Sequence, residues 1–336
     1  MPPLDLSALT TPLSWFIVEL LSVVLLLWCM ADAIRTFSGN TRIVRIGEIF
    51  GFIAYSGVYE NVGVAAHIYY YSLDRIVLFG KVPLAILIIE AVIFYVAMRT
   101  AEKLRMPIWA APFLVGMLAM AQDLTIDPSA CFDFHEVNGV MEGRWNWTMN
   151  YEHGLFGIPF ANFSGWFTMM FYFAATLLVG RRWFERKHHS TGIGTSYILV
   201  SILVSLLLIV SPLNRFLLTL YPFTPWDQRA NEIVMLALNV TVAIAICWRY
   251  ASSKGSFNLR DDRVIWLLPV TLHAYDILAA YILHIKIAYI PSILFAIPHL
   301  ALLAYFFRDE LFRDALLQKG VARDHTKVEK TRTGSR

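Results

Sequence analysis

The sequence predicts an all-α, polytopic membrane helical bundle, and three observations carry that prediction. Of 336 residues, 57% are hydrophobic and 16% charged, with a mean hydropathy of +0.56, a balance unlike that of a soluble globular domain. The apolar residues fall in runs close to the roughly 20 residues that a bilayer-crossing helix needs. The Lys and Arg residues fall in alternate gaps between those runs.

Nine runs qualify, near 14–34, 47–70, 77–98, 107–124, 163–180, 196–220, 231–250, 263–284 and 287–307. They reduce to eight if the last two, parted by little more than Lys286, form one. Before the first run stands Asp5 and no basic segment, so this run reads as a permanent span and not a cleaved leader. Arg35, Arg42 and Arg45 follow it; Arg99, Lys103 and Arg105 follow the third run; Arg181, Arg182, Arg186 and Lys187 follow the fifth; Arg249, Lys254, Arg260 and Arg263 follow the seventh. The positive-inside rule makes these gaps cytoplasmic and predicts an N-out, C-in topology. Residues 1–310 then form one transmembrane domain, and 311–336 a charged cytoplasmic tail, partly disordered. The net charge of +3 and the basic tail express this topology and not nucleic-acid binding.

Charges inside a span are costly and need a partner or a purpose. Glu19 and Lys81, both about a turn inside the outer boundary, suggest an ion pair. Glu48 lies near the cytoplasmic interface, and Glu90 is placed to bond a neighbouring helix. Glu60 is followed by Asn61 and shares a helical face with Ser56 and His67, at offsets of four and seven. This polar stripe suits an interhelical ladder or a catalytic acid. His273 and Asp276, three apart, also face one way, as an oriented imidazole or a proton relay. Cys29, Cys131 and Cys247 are an odd set, two of them inside spans, and imply neither a disulfide framework nor a zinc site.

Between the fourth and fifth spans the composition changes. Asp123 to Trp166 holds six acids, three tryptophans and, of Lys and Arg, only Arg144. Asp123 and Asp127 are spaced i, i+4, which stacks two carboxylates on one helical face. Held close, such a pair keeps a proton between them and serves as an acid near neutrality. Pro128 disfavours helix at Asp127, so the spacing predicts fraying near Ile126, with the two acids as caps in that case. Trp145 and Trp147 alternate about Asn146 and point one way in extended chain. Tryptophan serves the interfacial belt or, equally, a cation-facing wall. Gly154, Gly157 and Pro159 shape the approach to the fifth span, where Asn162 suits a side-chain cap and Trp166 follows Gly165.

These residues, D-L-T-I-D-P, W-N-W and G-I-P-F-A-N-F-S-G-W, resemble the signature of the membrane carotenoid-biosynthesis proteins. That family includes carotenoid 1,2-hydratases such as the bisanhydrobacterioruberin hydratases. Gly157, Ile158, Pro159, Asn162, Phe163, Gly165 and Trp166 fall in register, and Glu60 matches an acid that the family carries in its second helix. The stretch Cys131 to Glu142 lengthens the usual gap before Trp145, and nine spans exceed the family's usual number. The resemblance implies a multi-pass protein of a bacterial or archaeal cell membrane that acts on an acyclic carotenoid or other isoprenoid drawn from the lipid. It implies hydration of a terminal double bond, with no cofactor or metal required. Asp123, Asp127 and Glu60 would supply the acid and the water-orienting base, and Trp145, Trp147, Asn162 and Trp166 the substrate contacts.

Other classes are less well served. D-L-T-I-D is also a D-x-x-x-D, as in UbiA-type prenyltransferases such as lycopene elongases, but no second acidic motif stands near Asp227 or Asp276 to share magnesium on a diphosphate. A diiron oxygenase would need more than the adjacent pair His188-His189, and a lycopene cyclase a P-x-E-E-like motif. A lipid or proton-coupled transporter using Glu60, His67, His273 and Asp276 lacks repeat symmetry.

Overall fold

In a computed structural model, the structure describes residues 11–148, 154–219, 227–250 and 257–311. The tail predicted at 311–336 lies, beyond Leu311, outside the described residues. Helices occupy all nine predicted positions. They are α1 (Leu13–Thr36), α2 (Gly39–Ala65), α3 (Leu84–Lys103), α4 (Ala111–Cys131), α5 (Phe160–Arg186), α6 (Thr191–Ile209), the short α7 (Pro212–Thr219), α8 (Gln228–Tyr250), α9 (Arg263–Ile282), α10 (Lys286–Leu294) and α11 (Ala296–Phe306). The ninth span is therefore two helices broken at Phe295, and the sixth ends at Ile209 before a separate α7.

Among the described residues, seven helical stretches are long and apolar enough to cross a membrane: α1, α3, α5, α6, α8, α9 and the α10–α11 pair. The two long helices outside that set are α2 and α4. Both are long enough, but Glu48, Glu60 and Asn61 in one, and Gln122, Asp123, Thr125 and Asp127 in the other, lower their hydropathy. Their polar side chains face protein. α4 packs against α3, α5, α8, α9, α10 and α11, and α3, buried almost without a break from Ala85 to Ala101, fills the space between α1, α2, α4 and α9. A helix apolar on every side is a core helix, as α3 shows.

At one end of the bundle the basic residues are ion-paired. Arg181 donates to Glu48 Oε1 at 2.7 Å and to Glu102 Oε1 at 2.6 Å, and Arg45 meets Glu102 at 2.9 Å. Arg99 pairs with Asp32 at 3.2 Å and Lys103 with Asp262 at 2.8 Å. Glu48 is thus a buried member of this network, not the interfacial residue that its position suggests. At the same end α2 and α6 are pressed together: a Cβ at Gly51 would clash with Ile198, and one at Gly194 with Val44. Small residues allow that approach where no hydrophobic effect drives helices together.

The opposite end carries three short antiparallel ribbons. β1 (Tyr69–Tyr71) pairs with β6 (Trp145–Trp147), β2 (Leu78–Phe79) with β3 (Val82–Pro83), and β4 (His135–Val137) with β5 (Val140–Glu142). The chain at 78–83 is therefore a hairpin, and the third span begins at Leu84 and not at residue 77. Lys81 belongs to that hairpin, where its backbone N–H donates to Asn61 Oδ1 at 2.9 Å. The ion pair expected between Lys81 and Glu19 does not form; Glu19 instead meets Arg75 at 3.9 Å and accepts the Ile76 N–H at 3.2 Å.

Candidate active site

Two sequence features at this end fold differently from local preference. α4 runs through Pro128 to Cys131, so the expected fraying near Ile126 does not occur. Proline inside a spanning helix is tolerated where neighbours hold the freed backbone. Here Thr125 and Ser129 donate to Asp276 on α9, at 2.9 and 3.3 Å, and Asn162 holds the other side. The consequence is that Asp123 and Asp127 share a face. Asn162 is also not a cap: Pro159 is the N-cap residue of α5, and the Asn162 amide donates to Asp123 Oδ2 at 2.8 Å and to Asp127 Oδ2 at 2.6 Å. Both of its amide hydrogens are used on the carboxylate pair.

A cavity of about 580 Å³ opens beside this pair, within the range of small-molecule sites. Six of the sequence-predicted residues line it: Glu60, Asp127, Trp145, Trp147, Asn162 and Trp166. Asp123 lies fully buried behind Asn162. The two tryptophans of W-N-W do stand on one extended strand, and its ribbon partner presents Tyr71 opposite Trp145 and Tyr69 opposite Trp147. All four rings face the cavity.

The tyrosines fix the second acid. Tyr69 donates to Glu60 Oε2 at 2.7 Å, and Tyr71 donates to the same oxygen at 2.6 Å. Burial first, and the charge of Glu60 second, push both phenols well above their usual range, so both remain donors. A Cβ at Gly63 would strike the Tyr69 hydroxyl; that glycine leaves room for the phenol to reach Glu60. His67, expected on the Glu60 face, lies past the end of α2 with φ of 57° and is exposed. The helix stops before the offset of seven can be realised.

Sequence reasoning left Glu90 as an interhelical bond. It lies 1% exposed on the cavity wall, beside Ser56 and Glu60. Tyr69, Tyr71 and Glu90 were the missed members of the site. The alternation of Y-Y-Y at 69–71, matching that of W-N-W, is the signal that points to the tyrosines.

His273 and Asp276 do not line the main cavity and do not bond each other. Thr125 stands between them, with its Oγ1 3.1 Å from His273 Nδ1 and 2.9 Å from Asp276 Oδ2. His273 Nε2 is 2.9 Å from His299 Nδ1. Asp276 borders a side chamber of about 30 Å³ shared with Glu90, Trp145 and Trp166, roomy enough for a water.

The ribbon is locked from outside. Arg144 donates to Asp133 Oδ2 at 2.8 and 3.1 Å and to the Tyr275 hydroxyl at 2.6 Å. Ser14 and the Trp15 indole, at the start of α1, donate to Asp133 Oδ2 and to its backbone oxygen. Arg75 stacks its guanidinium 4.2 Å above the Trp15 ring and donates to the Arg144 carbonyl at 3.0 Å. Burial and the neighbouring Arg144 lower Arg75 to about 10.

The family model described as carotenoid biosynthesis protein matches residues 46–223. The chain belongs to the carotenoid biosynthesis protein family. The matched segment holds Glu60, Glu90, Asp123, Asp127, Trp145, Trp147, Asn162 and Trp166, while His273 and Asp276 fall outside it. No curated protein and no solved structure is matched. As a carotenoid biosynthesis protein with seven helices suited to a membrane, it is a membrane component of that pathway.

Proposed function

We propose that this carotenoid biosynthesis protein hydrates a terminal C=C of an acyclic carotenoid. One observation carries the reading: a single cavity joins buried carboxylates on one wall to tryptophan and tyrosine faces on another. That pairing suits a reaction which makes and shelters a carbocation.

The geometry supports separate roles for the acids. Glu60 accepts two phenolic hydrogen bonds on one oxygen, which orient it as the base that would take the water's proton. Asp123 and Asp127, joined through one amide, resist ionising together and retain a proton to give. Asp127 would protonate the CH carbon of the terminal isopropylidene, and the π pair forms that C–H bond, leaving a tertiary cation. Trp145, Trp147 and Trp166 would face this cation; such contacts contribute about 2 kcal/mol when desolvated. A water would then add to the cationic carbon and give a proton to Glu60, and that proton, returned to Asp127, restores the site. Glu90, beside Glu60 on the same wall, would help to hold the water. Thr125 on α4, with His273 and Asp276 on α9, would serve as a relay to the side chamber.

Expression in cells that make an acyclic carotenoid tests this: the product should gain the mass of one water. Absence of a hydrated product from every acyclic carotenoid supplied would sink the hydration reading.

A further inference from the structure

The cavity has residues that do two things at once. Val62, Ile68 and Val210 line it, yet they are 51%, 42% and 71% exposed. A side chain that borders the interior and the outside together marks a mouth. Val62 and Ile68 belong to the end of α2 and the turn after it, and Val210 to the corner between α6 and α7.

The two helices explain why a gap is there. Both run from the basic end toward the cavity end; Gly51, near the middle of α2, sits against Ile198, and Gly194, near the start of α6, against Val44. About 12 residues further on, or roughly 18 Å of helix, Val62 and Val210 stand on either side of open space instead of on each other. Pinned at one end, the pair splays at the other. Outside the gap, α2 continues with exposed Val58, and α6 with exposed Leu199, Leu203 and Leu207, the faces expected against lipid.

We infer that this gap between α2 and the α6–α7 corner is a lateral portal, occupied by the polyene chain of an acyclic carotenoid whose reactive end lies at Asp127 and Glu60. The inference rests on the hydration reading for what happens at that end. The occupant follows from shape and polarity. A cavity of about 580 Å³ takes an end group, whereas a long, stiff polyene with one end seated has to project. Val62, Ile68 and Val210 rim the mouth on this flank of the bundle, so the projecting chain passes along apolar side chains into lipid, while exposed Gln228 and Arg229, on α8, also line the cavity.

The test measures carotenoid retained by the purified full-length protein, from visible absorbance per mole, alongside product formation. Val62→Trp with Val210→Trp should fill the gap, and the overpacking should lower retained carotenoid by about tenfold or more. Val58→Trp with Leu199→Trp, exposed positions on α2 and α6 away from the cavity, should leave retention unchanged, and both variants should elute as the wild type does on size exclusion. Retention by the first double variant equal to wild type would overturn the portal, as would equal loss in both, or a wild-type protein that retains lipid and no carotenoid. Asp127→Asn should keep its carotenoid while forming no product. Wild-type protein that retains carotenoid through this gap yet hydrates nothing would overturn the hydration reading alone and leave the portal standing.

Discussion

The Tyr71 hydroxyl donates to Glu60 Oε2 at 2.6 Å, joining a strand to a helix across the cavity wall. The bond orients the carboxylate and, through the β1–β6 pairing, ties it to Trp145. Hydrogen bonds to charged groups contribute about 1.5–3 kcal/mol. Tyr71→Phe should therefore slow formation of the hydrated carotenoid by about tenfold, and Tyr69→Phe with Tyr71→Phe by more than either alone. Wild-type turnover in the double variant would remove Glu60 from the chemistry.

Asp127→Asn should abolish product while the protein still accumulates in the membrane. Asn162→Ala should also depress it, because one amide serves both Asp123 and Asp127. If hydrated carotenoid persists in Asp127→Asn, the pair is structural, holding α4 to α5.

Trp147→Phe should slow turnover without stopping it. A smaller aromatic face remains, and the loss is a fraction of the roughly 2 kcal/mol that a desolvated cation gains from indole. An unchanged rate would assign Trp147 to the interfacial belt.

Arg144→Gln should destabilise the protein by about 3 kcal/mol, the cost expected when one partner of a buried ion pair is removed, since Arg144 and Asp133 are 3% and 2% exposed at the side chain. A lowered melting temperature in detergent is the readout. Because the Arg144 ribbon carries Trp145, retained carotenoid should fall as well; an unshifted melting temperature would show that the lock is idle.

Gly194→Val tests the other end of the molecule. Its new side chain would meet Val44, and overpacking should cost about 1–3 kcal/mol, again read as a lower melting temperature. A neutral outcome would show that α2 and α6 are free to separate at their base.

Much of this was legible from residue order. Runs of apolar residues placed a helix at each of nine positions, and the pairing of W-N-W as one face of a strand needed only the two-residue period. Local preference failed where tertiary contacts outweighed it. Pro128 argues for an end to α4, but Thr125 and Ser129 bonding to Asp276, and Asn162 bonding to two aspartates, hold the helix through it. Asn162 likewise had the residue type of a cap, and nothing in its own neighbours reveals that Asp123 and Asp127 are competing acceptors. Partners distant in sequence were the least readable: Glu19 with Arg75, Glu48 with Arg181, and Glu60 with two tyrosines could each have been matched otherwise. The polar residues that lower the hydropathy of α2 and α4 include Glu60 and Asp127, which line the cavity.

The lock on the ribbon has a consequence in time. The walls of the cavity are complete once synthesis has passed Glu232, but Tyr275, which takes the Arg144 guanidinium against its hydroxyl, is made later still. Ser14 and Trp15, at the other end of the same clasp, are made before the ribbon itself. Chains emerge from the ribosome in order, so the strand bearing Trp145 and Trp147 waits, half-docked on α1, until α9 arrives. Release of a chain stopped between α8 and α9 should leave a cavity with walls and no settled aromatic face.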